Sequence, residues 1–178
     1  MDIAWAFTGA GHFLKESAEL LGQFGSRFGI DVYLSRAAAE VLKMYDFTAH
    51  IRECARSVSV ESGYSFPATS KFSVGRYSAL LMAPATGNTV AKCVSGIADS
   101  LVSCMFAQAG KCRVPIYVLP TDISAEMESV APNGNRVMIY PRPVDLELTR
   151  RIAAMEGVVV FSSPEALRSW FEKMSGKL

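Results

Sequence analysis

The chain has 178 residues, half of them hydrophobic and 20% charged, with a formal net charge of +1. That balance removes the electrostatic case for nucleic acid, and no apolar run reaches the roughly 18 residues of a membrane span. The length suits one domain, residues 1–178 together. The N-terminus lacks the basic flank of a signal peptide, so a cytoplasmic protein is expected.

Ile3-Ala4-Trp5-Ala6-Phe7 is apolar throughout and reads as a central strand. Thr8-Gly9-Ala10-Gly11-His12 follows, and then Phe13, Leu14, Ala18, Leu21 and Phe24 recur at helical spacing. Strand, glycine turn and helix in that order turn backbone N–H groups toward an anion. Leu14 stands where a dinucleotide fingerprint needs its third glycine, which argues against NAD. His12 has two readings, a pocket residue or a solvated helix start.

Asp31 to Leu34 is the second strand, with Ser35 as N-cap of a helix holding Ala38, Val41, Leu42 and Met44. Arg36 either adds charge there or lies in solvent. Residues 45–77 carry little readable pattern. Tyr64 and Phe66 are candidates for packing on a ring, in the core or between subunits, and the isolated His50 is read as a surface residue.

The run Ala79 to Ala83, stopped by Pro84, reads as a strand buried on both faces. One long helix is expected from about Thr89 to Ala109, ended by Gly110, with Thr86, Gly87, Asn88 and Thr89 between strand and helix. Either Asn88 or Thr89 merely caps that helix, or these polar residues meet a ligand. Cys93 and Cys104 are expected on one face of it, and all four cysteines to be reduced; no C-x-x-C supports zinc or an iron–sulfur cluster. Val114 to Leu119 is a buried strand ending at Pro120-Thr121-Asp122. Ser124 to Asn135 reads as a polar loop, Arg136 to Tyr140 as a short strand, and Asp145 as the cap of a helix to Met155. Val158 to Phe161 is the last strand, and Ser163 with Pro164 opens the last helix.

Alternating strands and helices predict a doubly wound α/β sandwich. Right-handed crossovers then bring the loops carrying Gly9 to His12, Ser35, Thr86 to Thr89 and Thr121 to one sheet edge. In such sheets that edge is where ligands bind, so a cofactor crevice is expected there.

The string from Pro84 to Leu101 resembles the P-A-S-A-N-T-x-x-K-x-x-x-G-x-x-D-x-L signature of the homo-oligomeric flavin-containing cysteine decarboxylase superfamily. Pro84, Ala85, Asn88, Thr89, Lys92, Gly96, Asp99 and Leu101 all fit. The resemblance implies a flavodoxin-like (Rossmann-like) three-layer sandwich with a mainly parallel sheet, bound FMN, and homo-oligomers built from trimers. Three features set the chain apart from the decarboxylases. Thr69, Ser70 and Lys71 stand where they carry a histidine base, Pro120-Thr121-Asp122 replaces their P-x-M-N, and no cysteine follows Cys112.

With those substitutions the pattern is most similar to the archaeal-type dihydromethanopterin reductases and archaeoflavoproteins. That resemblance implies FMN-dependent reduction of dihydromethanopterin or a related dihydropterin, with electrons from a separate donor protein or NAD(P)H. An FMN electron carrier without its own substrate, or a decarboxylase with an unfamiliar base, are the alternatives. It also implies that Gly9, Ala10, Gly11 and Ser35 hold the phosphate end. Thr86, Gly87, Asn88 and Thr89 would meet ribityl and ring, and Pro120 and Thr121 would line the pocket with His12 and Arg36. No acid or base is assigned; Asp122 and His12 are candidates only.

Overall fold

The computed structural model describes residues 1–62 and 67–176, so the expectations for Tyr64 and Phe66 lie outside the described residues. The strands are β1 (Asp2–Phe7), β2 (Gly29–Leu34), β3 (Ser57–Val60), β4 (Ala79–Ala85), β5 (Ile116–Pro120), β6 (Met127–Val130), β7 (Arg136–Ile139) and β8 (Val158–Val160). The helices are α1 (Leu14–Phe24), α2 (Arg36–Met44), α3 (Thr48–Cys54), α4 (Pro67–Ser73), α5 (Gly87–Val94), α6 (Leu101–Lys111), α7 (Pro143–Ala153) and α8 (Pro164–Ser175). Six strands form a parallel sheet in the order β3-β2-β1-β4-β5-β8, and β6 pairs antiparallel with β7 apart from it. This is the expected flavodoxin-like α/β sandwich. No helix among the described residues is long and apolar enough to cross a membrane.

The alternation of side chains along β1 divides the core. Ile3, Trp5 and Phe7 pack with Leu21, Phe24 and Phe171 under α1 and α8. Ala4 and Ala6 face the other layer, with Leu80, Met82, Met105 and Phe106 under α6. The buried indole of Trp5 donates to Ala83 O at 2.8 Å, which satisfies its one polar atom.

Several elements differ from the sequence reading. The long helix expected from Thr89 to Ala109 is two helices. Gly96 takes a left-handed φ of 71° and ends the first segment, and Ser100 caps α6 in reciprocal hydrogen bonds with Ser103. Cys93 is therefore buried on α5 while Cys104 is half-buried on α6, and they share no helix face. Gly110 lies inside α6, which runs on to Lys111. Part of the expected loop from Ser124 is strand β6, because Gly134 lets the chain turn back on itself (φ 84°). Helix α7 starts earlier than Asp145. Pro143 is its first residue, and Asp145 accepts the Arg142 N–H at 3.1 Å from inside the first turn. His50 is half-buried: its Nε2 meets Ala18 O at 3.0 Å and ties α3 to α1.

An ion pair fixes the start of β2. Arg56 donates to Asp31 through Nε at 2.9 Å and Nη2 at 2.8 Å, Ser57 donates at 2.7 Å, and Tyr77 at 2.8 Å. Burial opposes ionisation of Asp31, but these donors outweigh it and hold the carboxyl well below the usual range. Such a group adds stability above its unfolded value of about 3.9 and loses it as pH falls through the folded one. Asp31→Asn is expected to cost about 2 kcal/mol at pH 7, with the difference from wild type shrinking below about pH 4. Urea unfolding across that range measures it.

Candidate cofactor site

Strand order reverses between β1 and β4, so a crevice opens where their C-terminal ends part company with neighbouring loops. Thr8 stitches these ends together. Its hydroxyl donates to Pro84 O and accepts from Thr86 N–H, both at 2.8 Å. Thr86 in turn caps α5: its Oγ1 accepts from Thr89 N–H at 3.4 Å and lies 3.1 Å from the Thr89 hydroxyl. Ser35 caps α2 by accepting from Ala38 N–H at 3.0 Å.

These groups line a cleft of about 410 Å³ formed by Thr8, Gly9, Ser35, Arg36, Ala37, Glu61, Thr86, Asn88, Thr89, Lys92 and Ser100. The N-termini of α2 and α5 both open on it, which suits an anion. Two cations line it, and Lys92 also pairs with Asp99 at 2.8 Å. Gly9 is required by packing: a Cβ there would collide with the Cβ of Ala37. Gly87 is less constrained, since a Cβ there would lie 2.7 Å from Asp122 Oδ2, the movable end of a side chain.

A second, smaller cavity of about 220 Å³ is lined by Ala10, Gly11, His12, Thr121, Asp122, Met127 and Ile139. Thr121 donates to its neighbour Asp122 at 3.0 Å. Here the glycine turn meets the hairpin. Phe13 holds a left-handed φ of 63° at the start of α1, an uncommon conformation for a bulky residue. It places His12 in the turn, with the imidazole buried enough that Nε2 has no hydrogen-bond partner. That desolvation pushes the His12 pKa down, against the smaller pull of Glu16 and Asp122.

The sequence-predicted residues therefore divide between two adjoining hollows. Gly9, Ser35, Arg36, Thr86, Asn88 and Thr89 share the first, and Ala10, Gly11, His12 and Thr121 share the second. Gly87 begins α5 between them, and Pro120 ends β5 one residue before Thr121. Glu61 was missed, since it lies in the stretch with no readable pattern. It joins two helices by accepting from Arg36 N–H at 3.2 Å and Leu101 N–H at 2.7 Å. The Thr8 stitch was also missed. Its signal was a hydroxyl set directly between a buried strand and a glycine.

The sequence profile of the Flavoprotein family matches residues 1–178. The chain belongs to the Flavoprotein family. An uncharacterized protein of Methanocaldococcus jannaschii is 36% identical to this flavoprotein over 169 residues, 93% of this chain and 91% of the relative. Dihydromethanopterin reductase (acceptor) of Methanosarcina mazei is 42% identical over 142 residues, 73% of this chain and 59% of that enzyme. The enzyme of the same name from M. jannaschii is 40% identical over 135 residues, 70% of this chain and 55% of that enzyme. The chain thus spans a little over half the length of these two reductases.

Among solved structures, Burkholderia xenovorans DmrB in complex with FMN, described as a cubic protein cage for redox transfer, superposes with a TM-score of 0.86 at 31% identity. The match covers 99% of this flavoprotein and 96% of DmrB. The cysteine decarboxylase TvaF shares the fold at 17% identity, with a TM-score of 0.70 over 99% of this chain and 98% of TvaF.

Two outcomes follow from this geometry. Gly9→Ala should force the glycine turn away from α2 and cost about 1–3 kcal/mol, read by thermal unfolding. His12 should titrate below the ordinary value of 6.5 and be neutral at pH 7, as an NMR titration of its ring protons would show.

Proposed function

We propose that this flavoprotein binds FMN in the cleft and reduces dihydromethanopterin, or a related dihydropterin, to the tetrahydro form. Electrons come from a separate donor, a protein or NAD(P)H. On this reading residues 1–178 work as one FMN-binding domain in the cytoplasm. The observation that carries it is one cleft that gathers a glycine turn, the Ser35, Thr86 and Thr89 hydroxyls and two helix N-termini. The cleft's chemistry fits a phosphorylated ligand, and the two named reductase relatives supply the reaction.

Bound FMN supplies a redox centre able to exchange one or two electrons. The chain's own residues bind it and shape its surroundings. Ser35 keeps its O–H as a donor while its oxygen caps α2, so it would hold the phosphate end together with that helix N-terminus and Arg36. Gly9 allows close approach of the backbone. Thr86, Gly87, Asn88 and Thr89 would contact ribityl and ring. Ala10, Gly11, Pro120 and Thr121 would form the deeper wall, where the hairpin residues Met127 and Ile139 help exclude water. Neutral His12 keeps one ring nitrogen as donor and one as acceptor.

A homo-oligomer built from trimers also belongs to this reading. Val130, Val137, Met138 and Tyr140 leave apolar surface exposed on and beside the β6–β7 hairpin, which a neighbouring subunit would cover.

The direct test is anaerobic. Protein with fully reduced flavin is mixed with dihydromethanopterin, and the oxidised flavin bands are expected to return as the tetrahydro product forms. Reoxidation by electron-carrier proteins but by no dihydropterin would contradict the reading and favour an electron carrier. Ser35→Ala should weaken FMN retention by about tenfold, measured by equilibrium dialysis.

A further inference from the structure

Next to the cofactor cleft lies a separate cavity of about 390 Å³, within the usual range for small-molecule sites. Tyr33, Ser59, Glu61, Pro67, Lys71 and Leu101 line it. Glu61 lines both hollows, so they are neighbours across one carboxylate.

The cavity holds a donor and an acceptor whose states are set by their partners. Lys71 Nζ donates to Tyr33 Oη at 3.0 Å. Tyr33 and Tyr77 share a 2.5 Å hydrogen bond, and Tyr77 spends its one hydroxyl proton on Asp31 at 2.8 Å. Tyr33 must therefore donate to Tyr77 and accept from Lys71. Every bond in the chain points toward Asp31, which the Arg56 ion pair anchors. This order fixes the Lys71 ammonium in place and leaves it two further N–H donors. Across the cavity, each Glu61 oxygen accepts one backbone N–H and keeps one lone pair.

We propose that this cavity recognises the 2-amino-4-oxo edge of a pterin, with Glu61 accepting from ring N3–H and the 2-amino group and Lys71 donating to the 4-oxo oxygen. The assignment rests on the pterin reading above and adds the residues that select the substrate. A pterin presents acceptor, donor, donor along that edge, and a lysine and a carboxylate facing one cavity present the complement. A flavin presents acceptor, donor, acceptor, so its second carbonyl would face a Glu61 oxygen. The same pair thus admits the pterin and turns away a second flavin.

The test uses FMN-loaded protein and two probes, pterin and lumazine, which differ in having a 2-amino or a 2-oxo group. Calorimetry should show wild type binding pterin at least about tenfold more tightly than lumazine, the loss of a charge-assisted hydrogen bond. Glu61→Gln should bring that ratio toward one or invert it. Lys71→Met should weaken both probes by about tenfold and keep the ratio, since both carry the 4-oxo group. Equal affinities in wild type, or an unchanged ratio in Glu61→Gln, would overturn the proposal and leave Glu61 as a helix cap. Bound FMN is assayed by absorbance in each sample. Wild type without FMN would overturn the cofactor reading, while the pterin-to-lumazine ratio would still decide this one.

Discussion

The hydroxyl of Thr8 holds the two strand ends between which the cofactor cleft opens. It is fully buried, so its bonds to Pro84 O and Thr86 N–H face no competition from water. Strand order reverses at this pair, and β1 leads into the glycine turn while β4 leads into the Thr86 cap. A slip between the strands would carry Gly9 away from Thr86 and dissolve the cleft. The backbone repeats the restraint, with Thr8 N–H donating to Pro84 O and Ser35 N–H to Phe7 O. One buried side chain and two main-chain bonds thus convert a sheet topology into a binding geometry.

Electrostatic order extends outward from that point. Helix N-termini and cations gather around the cleft, and apolar hairpin residues meet the His12 turn in the smaller hollow beside it. A phosphorylated, partly aromatic ligand has the same division of polar tail and apolar ring. The Asp31 network lies in the layer behind, and its hydrogen bonds run from the N-terminal end of β2 through Tyr77 and Tyr33 to Lys71. Stability and site geometry are therefore linked through shared residues.

Much of this was legible where a local signal sufficed. Trp5, Leu81 and Val118 sit in continuous apolar runs, and those runs became the central strands. Ser163 followed by Pro164 marked a helix start because capping is a local bond. The cap of α5 was placed too late: Thr86 makes it, upstream of the Asn88 or Thr89 that the sequence suggested. Gly96 and Ser100 carried the break between α5 and α6, but the apolar spacing on either side masked it. Glu61 gave no signal at all. Its role depends on Arg36 and Leu101, which lie 25 and 40 residues away in the chain. The α3, β3 and α4 region was opaque for a related reason: β3 is an exposed edge strand whose side chains show no burial pattern.

The most direct measurement is the visible absorption spectrum of the purified protein, with mass identification and quantitation of any chromophore released. Two flavin bands and one equivalent of FMN per chain are predicted. A colourless protein that also fails to bind added FMN would contradict the account, leaving Thr86 and Ser35 as helix caps in a sandwich with no cofactor.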